Sequence, residues 1–272
     1  MFKLGATSLS VIVIFCEVVV PSVNPDEGLL IVKTTVSKPS TKTSSATVKV
    51  TEPEVCPFTI VITENQTKGK GQVGAVWDSE SGKNLTFSLL VKDFVVDASS
   101  VFILNTLISI SLIKALEKFK INDLSIKWPN DIMSDSKKVA GILIENIVKP
   151  DGSFTAIVGV GLNLNQTIFE NLPQATSLKC ITGKTYESEH LALLLKDSLV
   201  ENRETLNINS DLLWSDYHEN LYKKDYPSPF EDKNGNRFMG IIKKVNRDGK
   251  LEVMLEDDSI LYFEVKEVKM LH

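Results

Sequence analysis

Two lysines near the middle of the sequence have neighbours that could handle an anionic substrate. Lys127 ends a predicted strand and is followed by Trp128-Pro129-Asn130-Asp131. The proline predicts a rigid turn, and an amide and a carboxylate after it could serve a nucleotide and Mg²⁺. An ammonium at the strand end could neutralise carboxylate or phosphate oxygens. The alternative for Lys127, and for Lys138 beside Lys137, is a lysine that is merely solvated.

A glycine-rich loop precedes this region. Its sequence, Gly69-Lys70-Gly71-Gln72-Val73-Gly74, matches GxGxxG and follows a predicted strand. A dinucleotide-binding fold requires a helix next, but turn residues and another strand follow, which excludes that interpretation. A loop with bare backbone and the side chains of Lys68, Lys70 and Gln72 could still clamp an anion. An ordinary surface hairpin is the alternative.

Two further segments combine glycines with polar residues on predicted strands. One is Ala140-Gly141-Ile142-Leu143-Ile144-Glu145, and the other runs from Gly159 to Asn165. The glycines could leave room for a ligand or for neighbouring strands. Asn163 and Asn165 alternate with leucines and therefore share one face, which favours the lining of a polar site.

The elements that must position these residues follow from hydrophobic periodicity. We predict strands at 58–63, 85–92, 124–128, 139–147 and 154–164, and helices at 97–120 (with Asp97 as N-cap), 187–206 and 209–224. After Pro227 and Pro229 the pattern changes to short strands at 238–245, 251–255 and 260–265. The sequence therefore predicts an α+β catalytic domain with a mixed sheet (58–226), a small β-domain (227–272) and an atypical N-terminal segment, partly loop or linker (1–57).

Composition narrows the class of protein. The chain has 272 residues, 43% of them hydrophobic and 24% charged, with a net charge of −5. These values are typical of a globular protein, and the acidic balance argues against nucleic-acid binding. Three cysteines and three histidines argue against a disulfide framework, a zinc cluster or a Ser-His-Asp site. The apolar stretch within residues 1–20 could be a signal peptide, but it is too short to span a bilayer, and we favour a strand. We expect a cytoplasmic protein without a membrane partner.

Taken in order, four segments resemble the motifs of the biotin protein ligases. Gly69–Trp77 (GKGQVGAVW) resembles the GRGRxGxxW loop, residues 127–131 read KWPND, residues 138–145 read KVAGILIE, and residues 159–165 read GVGLNLN. The tail at 240–253 resembles that family's terminal SH3-like β-domain. The resemblance covers about residues 58–272 and implies a catalytic domain of the class II synthetase and biotin ligase type.

The resemblance also implies a reaction and its site residues. Biotin and ATP would form biotinyl-5′-AMP with Mg²⁺, and a lysine of a biotin carboxyl carrier domain of acetyl-CoA carboxylase or a related carboxylase would then accept the biotin. Catalysis would depend on Lys127 and Lys138, which would hold the reacting oxygens. The biotin-binding residues would be Gln66, Lys70, Gly71 and Gln72 with the two lysines, and the ATP-binding residues Gly69, Trp77, Asn130, Asp131, Gly141 and Asn163. Asp131 would be a metal ligand, and Trp77 would cover the adenine. The enzyme would be a monomer or homodimer.

The sequence departs from the family pattern in three ways. Lys70 and Gln72 replace loop arginines, and Ala75 stands where a third basic residue is common, so that arginine's bidentate grip is lost. A DSTN-type stretch near the N-terminus is missing, although residues 3–10 resemble the approach to it. The first 57 residues contain no helix-turn-helix, which predicts a ligase without repressor function. The alternatives are a lipoate or octanoate ligase of the same fold, a catalytically impaired biotin-binding relative, and a secreted protein.

Overall fold

The computed structural model describes residues 31–34, 59–66, 69–92, 101–148 and 154–271. The chain divides into unit 1, residues 1–94 with 140–190, and unit 2, residues 95–139 with 191–272. The strands are β1 (Ile31–Thr34), β2 (Thr59–Thr63), β3 (Gly69–Lys70), β4 (Val76–Trp77), β5 (Leu85–Lys92), β6 (Leu124–Lys127), β7 (Asp131–Ser134), β8 (Lys137–Val148), β9 (Phe154–Leu162), β10 (Pro227–Asp232), β11 (Arg237–Val245), β12 (Leu251–Met254), β13 (Ile260–Phe263) and β14 (Val268–Met270). The helices are α1 (Val101–Glu117), α2 (Leu178–Thr182), α3 (Ser188–Ile208) and α4 (Ser210–Glu219).

Unit 1 is built around a mixed sheet. β1 pairs with β2 in parallel, whereas the pairs β2–β5, β5–β9 and β9–β8 are antiparallel. Every second residue of β5, namely Leu85, Phe87, Leu89 and Val91, is at most 2% exposed. Period-2 burial of this kind places one face of the sheet against the core. The sheet bears out the predicted α+β class, although the sequence did not predict β1.

Helix α1 is the central element of unit 2. The residues from Leu104 to Ile113 are all buried, so the helix is enclosed on every side. Two of its polar residues make hydrogen bonds: the Ser111 hydroxyl donates to the Leu107 carbonyl at 2.7 Å, and the Asn105 amide donates to the Pro129 carbonyl. The helix predicted at 97–120 is therefore confirmed over Val101–Glu117. The predicted N-cap Asp97 lies outside the described residues, as do the predicted strand within 1–20 and, apart from β1, the rest of the predicted N-terminal segment (1–57).

The C-terminal part of unit 2 is a five-stranded antiparallel sheet in the order β13–β12–β11–β10–β14. Its turns contain Gly235 and Gly249 at φ values of 84° and 85°, a backbone conformation that favours glycine. This sheet is consistent with the predicted SH3-like barrel, and it contains two strands, β10 and β14, that the periodicity did not indicate. In the described part of the chain, none of the helices has the length and apolar character needed to cross a bilayer.

Candidate active site

The Lys127–Asp131 segment is a tight hairpin turn in unit 2. β6 ends at Lys127, β7 begins at Asp131, and these two residues face each other in register. The turn is held from two directions: the Asn105 side-chain amide donates to the Pro129 carbonyl at 2.6 Å, and the Trp128 indole N–H donates to the Gly249 carbonyl at 2.8 Å. Helix α1 and the β11–β12 turn thus fix the position at which the lysine, amide and carboxylate are presented.

Two lysines and one carboxylate form a cluster at this turn. Lys138, at the start of β8, lies with its Nζ 2.6 Å from Asp131 Oδ1, and both side chains are about one-third exposed or less. Burial lowers the pKa of Lys127, Asp131 raises it, and Lys138 and Lys269 lower it further. The cluster thus brings two ammonium groups near one carboxylate. It is suited to bind and neutralise an anion.

The glycine-rich loop of unit 1 is a hairpin rather than a dinucleotide-binding turn. β3 and β4 pair through Gly69 and Trp77, and between them Gln72–Gly74 form one 3-10 turn. The Gly71 N–H donates to the Ala75 carbonyl at 2.7 Å. A Cβ at Gly69 would lie 2.2 Å from the Trp77 carbonyl oxygen, so this close pairing requires glycine. The exclusion of the Rossmann interpretation is consistent with this geometry.

Two side chains near the loop are placed in ways that bear on ligand binding. Gln66 Oε1 is buried and accepts no hydrogen bond within the described residues. An acceptor left in this state is costly unless a ligand donates to it. The Trp77 ring lies against Gly161 of β9, where a Cβ would be 2.2 Å from Trp77 Cε2. The absence of a side chain at position 161 thus creates the space that the indole fills.

The two asparagines after β9 fasten the following segment of unit 1. Asn163 is 3% exposed, and its amide donates to the Thr176 carbonyl at 3.0 Å. Asn165 exchanges two hydrogen bonds with the backbone of Tyr186, at 2.8 and 2.9 Å. Both residues therefore have structural partners, and the predicted contact of Asn163 with the nucleotide stays a prediction.

The predicted site residues fall into two groups, one in each unit. Unit 2 brings together the cluster around the hairpin turn, whereas unit 1 holds the loop residues and the glycine strands, in which Gly141 and Gly161 are cross-strand partners. The unit 2 group is Lys127, Asn130, Asp131 and Lys138; the unit 1 group is Gln66, Gly69, Lys70, Gly71, Gln72, Trp77, Gly141 and Asn163. The roles assigned to the residues of both groups stay predictions.

Sequence reasoning missed two contributors to these groups. In unit 1 the Asn84 side-chain amide donates a hydrogen bond to Gln166 Oε1 at 2.6 Å. Asn84 Oδ1 also accepts a hydrogen bond from the Leu164 N–H, which anchors the end of β9. The charge of Lys269 on β14 lowers the pKa of Lys127, although the two residues are far apart in sequence. Neither contribution has a sequence signal, because each depends on a long-range contact.

The lysine cluster and the glycine-rich β-hairpin carry two of the sequence motifs that resemble the biotin protein ligases. The family model described as the Biotin/lipoate A/B protein ligase family matches residues 35–165. This segment, a little under half of the chain, is thus similar to that family. The match begins inside the segment that the sequence analysis placed before the catalytic domain, and the boundary at 57/58 stays a prediction.

Several similar proteins are named as biotin ligases. The bifunctional ligase/repressor BirA of Bacillus spizizenii is 28% identical over 169 residues, covering 58% of this chain and 51% of the relative. The biotin–[acetyl-CoA-carboxylase] ligase of Mycobacterium tuberculosis is 26% identical over 204 residues, 71% of each chain. The chain thus spans about half the length of the Bacillus relative.

A solved structure agrees in fold. The biotin protein ligase of Aquifex aeolicus, in complex with biotin and ATP, superimposes with a TM-score of 0.68 at 26% identity, covering 81% of this chain and 91% of that one. The similarity includes most of the described residues, and it supports the predicted ligase fold.

Proposed function

We propose that this protein is an ATP-dependent biotin protein ligase. The observation that carries the proposal is the lysine pair at the hairpin turn, Lys127 and Lys138, with Asp131 at 2.6 Å from Lys138. Formation of an acyl-adenylate brings a carboxylate and a triphosphate together, so its main requirement is neutralisation and positioning of negative charge. The relatives and the sequence motifs support biotin as the acid, whereas the family model includes lipoate ligases as well.

In the first half-reaction a carboxylate oxygen of biotin attacks the α-phosphorus of ATP. The bond from that phosphorus to the bridging oxygen of the leaving group breaks, and pyrophosphate departs with the electron pair. Lys127 and Lys138 hold the carboxylate and phosphate oxygens. Their role is electrostatic, because neither needs to gain or lose a proton in this step.

In the second half-reaction the neutral ε-amine of an acceptor lysine attacks the carbonyl carbon of biotinyl-5′-AMP. AMP leaves with the electron pair of the anhydride bond, and the attacking nitrogen loses a proton as the amide forms. The acceptor is a biotin carboxyl carrier domain, and we assign it to acetyl-CoA carboxylase on the basis of the Mycobacterium relative's name. The cytoplasmic location and the oligomeric state expected from the sequence stay predictions.

Loop residues of unit 1 would serve biotin in this scheme. Gln66 offers a buried acceptor oxygen, and the ureido ring of biotin carries N–H donors that match it. The side chains of Lys70 and Gln72 and the backbone at Gly69 and Gly71 complete the loop contacts that we propose. Trp77 and Asn163 are assigned to the nucleotide on the resemblance alone.

Mg²⁺ would be held mainly by the phosphates of ATP. Within the described residues no group of three or more acidic, cysteine or histidine side chains could form a protein cage for a metal ion. Asp131 is the carboxylate that the hairpin turn supplies, with Asn130 beside it. Mg²⁺ typically combines one or two carboxylates with substrate phosphates, and this donor set fits that pattern. The bound ion would offset negative charge on the phosphates.

Substitution of each lysine tests the assignment. In Lys127→Ala or Lys138→Ala we expect biotin-dependent release of pyrophosphate to fall by about 10²- to 10³-fold, the usual effect of removing one stabilising group. Lys137→Ala is the matched control, since Lys137 is the exposed neighbour of Lys138. Near-normal turnover in Lys127→Ala or Lys138→Ala would remove that residue from the mechanism.

A further inference from the structure

The β11–β12 turn, residues 246–249, is joined to the candidate site by one hydrogen bond. Its Gly249 carbonyl accepts this bond from the Trp128 indole N–H at 2.8 Å. Trp128 follows Lys127 directly in the chain. The position of the turn therefore bears on the position of the lysine that the proposed reaction uses.

Internal hydrogen bonds make this turn a rigid unit. The Asn246 N–H donates to the Lys250 carbonyl and the Lys250 N–H donates to Asn246 Oδ1, both at 2.9 Å. The Gly249 N–H donates to the Asn246 carbonyl, also at 2.9 Å. Because the turn is closed on itself in this way, a contact that holds any part of it also holds the Gly249 carbonyl.

An aromatic cluster from helices α1 and α4 lies against the turn. A Cβ at Gly249 would be 2.4 Å from Phe102 Cδ2, so the backbone of the turn touches this ring. Phe102 stacks on Trp214 with the ring centroids 6.0 Å apart, and it meets Tyr217 edge-on at 5.9 Å. Trp214 and Tyr217 are 4% and 0% exposed. The cluster is thus a fixed surface on which the turn rests.

Arg247 fastens the turn to this surface from outside. Its guanidinium carbon lies 5.0 Å from the centroid of the Trp214 ring, and its Nη2 pairs with Asp211 in the first turn of α4. Together these three residues form a clamp on the turn. At the end of β11, His218 Nε2 of α4 lies 2.8 Å from the Val245 carbonyl oxygen. The Arg247 side chain is 53% exposed, so its loss leaves the buried core intact.

We propose that Arg247 is a positioning residue of the ligase. It holds the β11–β12 turn on α4, and the Gly249 carbonyl of that turn holds Trp128 and the adjoining Lys127–Asp131 segment in the geometry that adenylate formation requires. Arginine suits this place because its planar guanidinium stacks on an indole while its N–H groups pair with a carboxylate. The effect on turnover rests on the proposed function, whereas the clamp itself does not.

Hydrogen exchange of the tryptophan indole N–H groups tests the clamp in the full-length protein without ligands. The chain has three tryptophans, and loss of one signal in Trp128→Phe identifies Trp128. In Arg247→Gln we expect exchange at Trp128 to be about tenfold faster, the scale of one cation–π contact and one ion pair together. Exchange at Trp77 should stay unchanged. Arg247→Lys should keep most of the protection, because it retains a cation over Trp214.

The matched control for this experiment is Arg237→Gln. Arg237, at the other end of β11, likewise pairs with a carboxylate, Glu231 at 3.1 Å. Its substitution should leave exchange at Trp128 as in the wild type. Unchanged exchange at Trp128 in Arg247→Gln, or an equal acceleration in Arg237→Gln, would overturn the proposal.

A double-mutant cycle connects the clamp to turnover. Arg247→Gln should lower kcat for biotin-dependent release of pyrophosphate by roughly three- to tenfold, as expected for a misplaced reacting group. In Trp128→Phe, where the bond to Gly249 is already absent, the same substitution should have little further effect. A merely structural role for Arg247 would instead give equal factors in the two backgrounds, and that result would refute the positioning role.

The two experiments separate the clamp from the proposed function. If exchange at Trp128 responds as expected but the wild-type protein shows no turnover with biotin, the clamp stands and the ligase assignment fails. If the wild type is active and exchange at Trp128 does not respond, the ligase assignment stands and the clamp is refuted.

Discussion

Substitution of Gly161 by alanine probes the packing of Trp77 on strand β9. A Cβ at position 161 would lie 2.2 Å from Trp77 Cε2 and 2.5 Å from both Cζ2 and Nε1. Ordinary contact begins near 3.4 Å, so the indole must move by roughly 1.2 Å or the strand must shift. Overpacking of this kind costs about 1–3 kcal/mol of unfolding free energy. The displaced ring should also reduce biotin-dependent turnover.

Gly159 supplies a control within the same strand. A Cβ there would come no closer than 3.8 Å to its nearest neighbour, the Leu143 carbonyl oxygen. Gly159→Ala should therefore be neutral, or stabilising by up to about 1 kcal/mol through the entropy of the unfolded chain. Neither glycine has a positive φ, so backbone strain does not distinguish the two substitutions.

Thermal unfolding of the two variants, with and without Trp77→Ala, measures the effect. Gly161→Ala should lower the Tm by about 2–12 °C, at about 2–4 °C per kcal/mol for a chain of this size. In that background Trp77→Ala should cost less than it does in the wild type, because the clash is removed with the ring. Equal Tm values for Gly161→Ala and Gly159→Ala, or strict additivity with Trp77→Ala, would refute the packing argument.

Two further predictions concern charge in the site. Gln72→Arg introduces a guanidinium into the loop. It should slow the release of biotinyl-5′-AMP by about tenfold or more, which is the effect of one charge-assisted contact. Quenched-flow measurement of free adenylate would give equal release rates for the variant and the wild type if Gln72 lies away from the phosphate. The lowered pKa of Lys127 means that its positive charge is lost as pH rises through a value below that of an ordinary lysine. The alkaline limb of kcat/KM should therefore move to higher pH in Lys127→Arg, which keeps its charge; coincident profiles would contradict the role of Lys127.

The sequence predicts the long elements because burial repeats along them. Apolar residues alternate along β5 or run continuously along β9, and α1 is apolar over three turns. The sequence therefore predicts the position of each of these elements to within a few residues. The two-residue strands β3 and β4 gave no such signal, since their pairing depends on the close approach at Gly69 rather than on side-chain periodicity. β14 was missed for a related reason: three residues are too few to establish alternation.

The residues of the candidate site can be predicted where they lie close together in the sequence. The KWPND turn and Lys138 place cations, an amide and a carboxylate within twelve residues, and the structure brings Lys138 to Asp131. The contribution of Lys269 could not be predicted, because it depends on how a C-terminal strand packs within unit 2. The hydrogen bonds that Asn163 and Asn165 make to the backbone could not be predicted either, since their partners lie 13 and 21 residues further along the chain.

The measurement that tests the central claim most directly is release of pyrophosphate from ATP by the full-length protein with biotin, with lipoate and with neither acid. The ligase assignment predicts release with biotin alone, followed by labelling of a biotin carboxyl carrier domain when one is added. Release with lipoate alone would identify a lipoate ligase of the same fold. No release with either acid from folded protein would contradict the assignment and indicate that Gln72 and the atypical N-terminal segment have disabled the site.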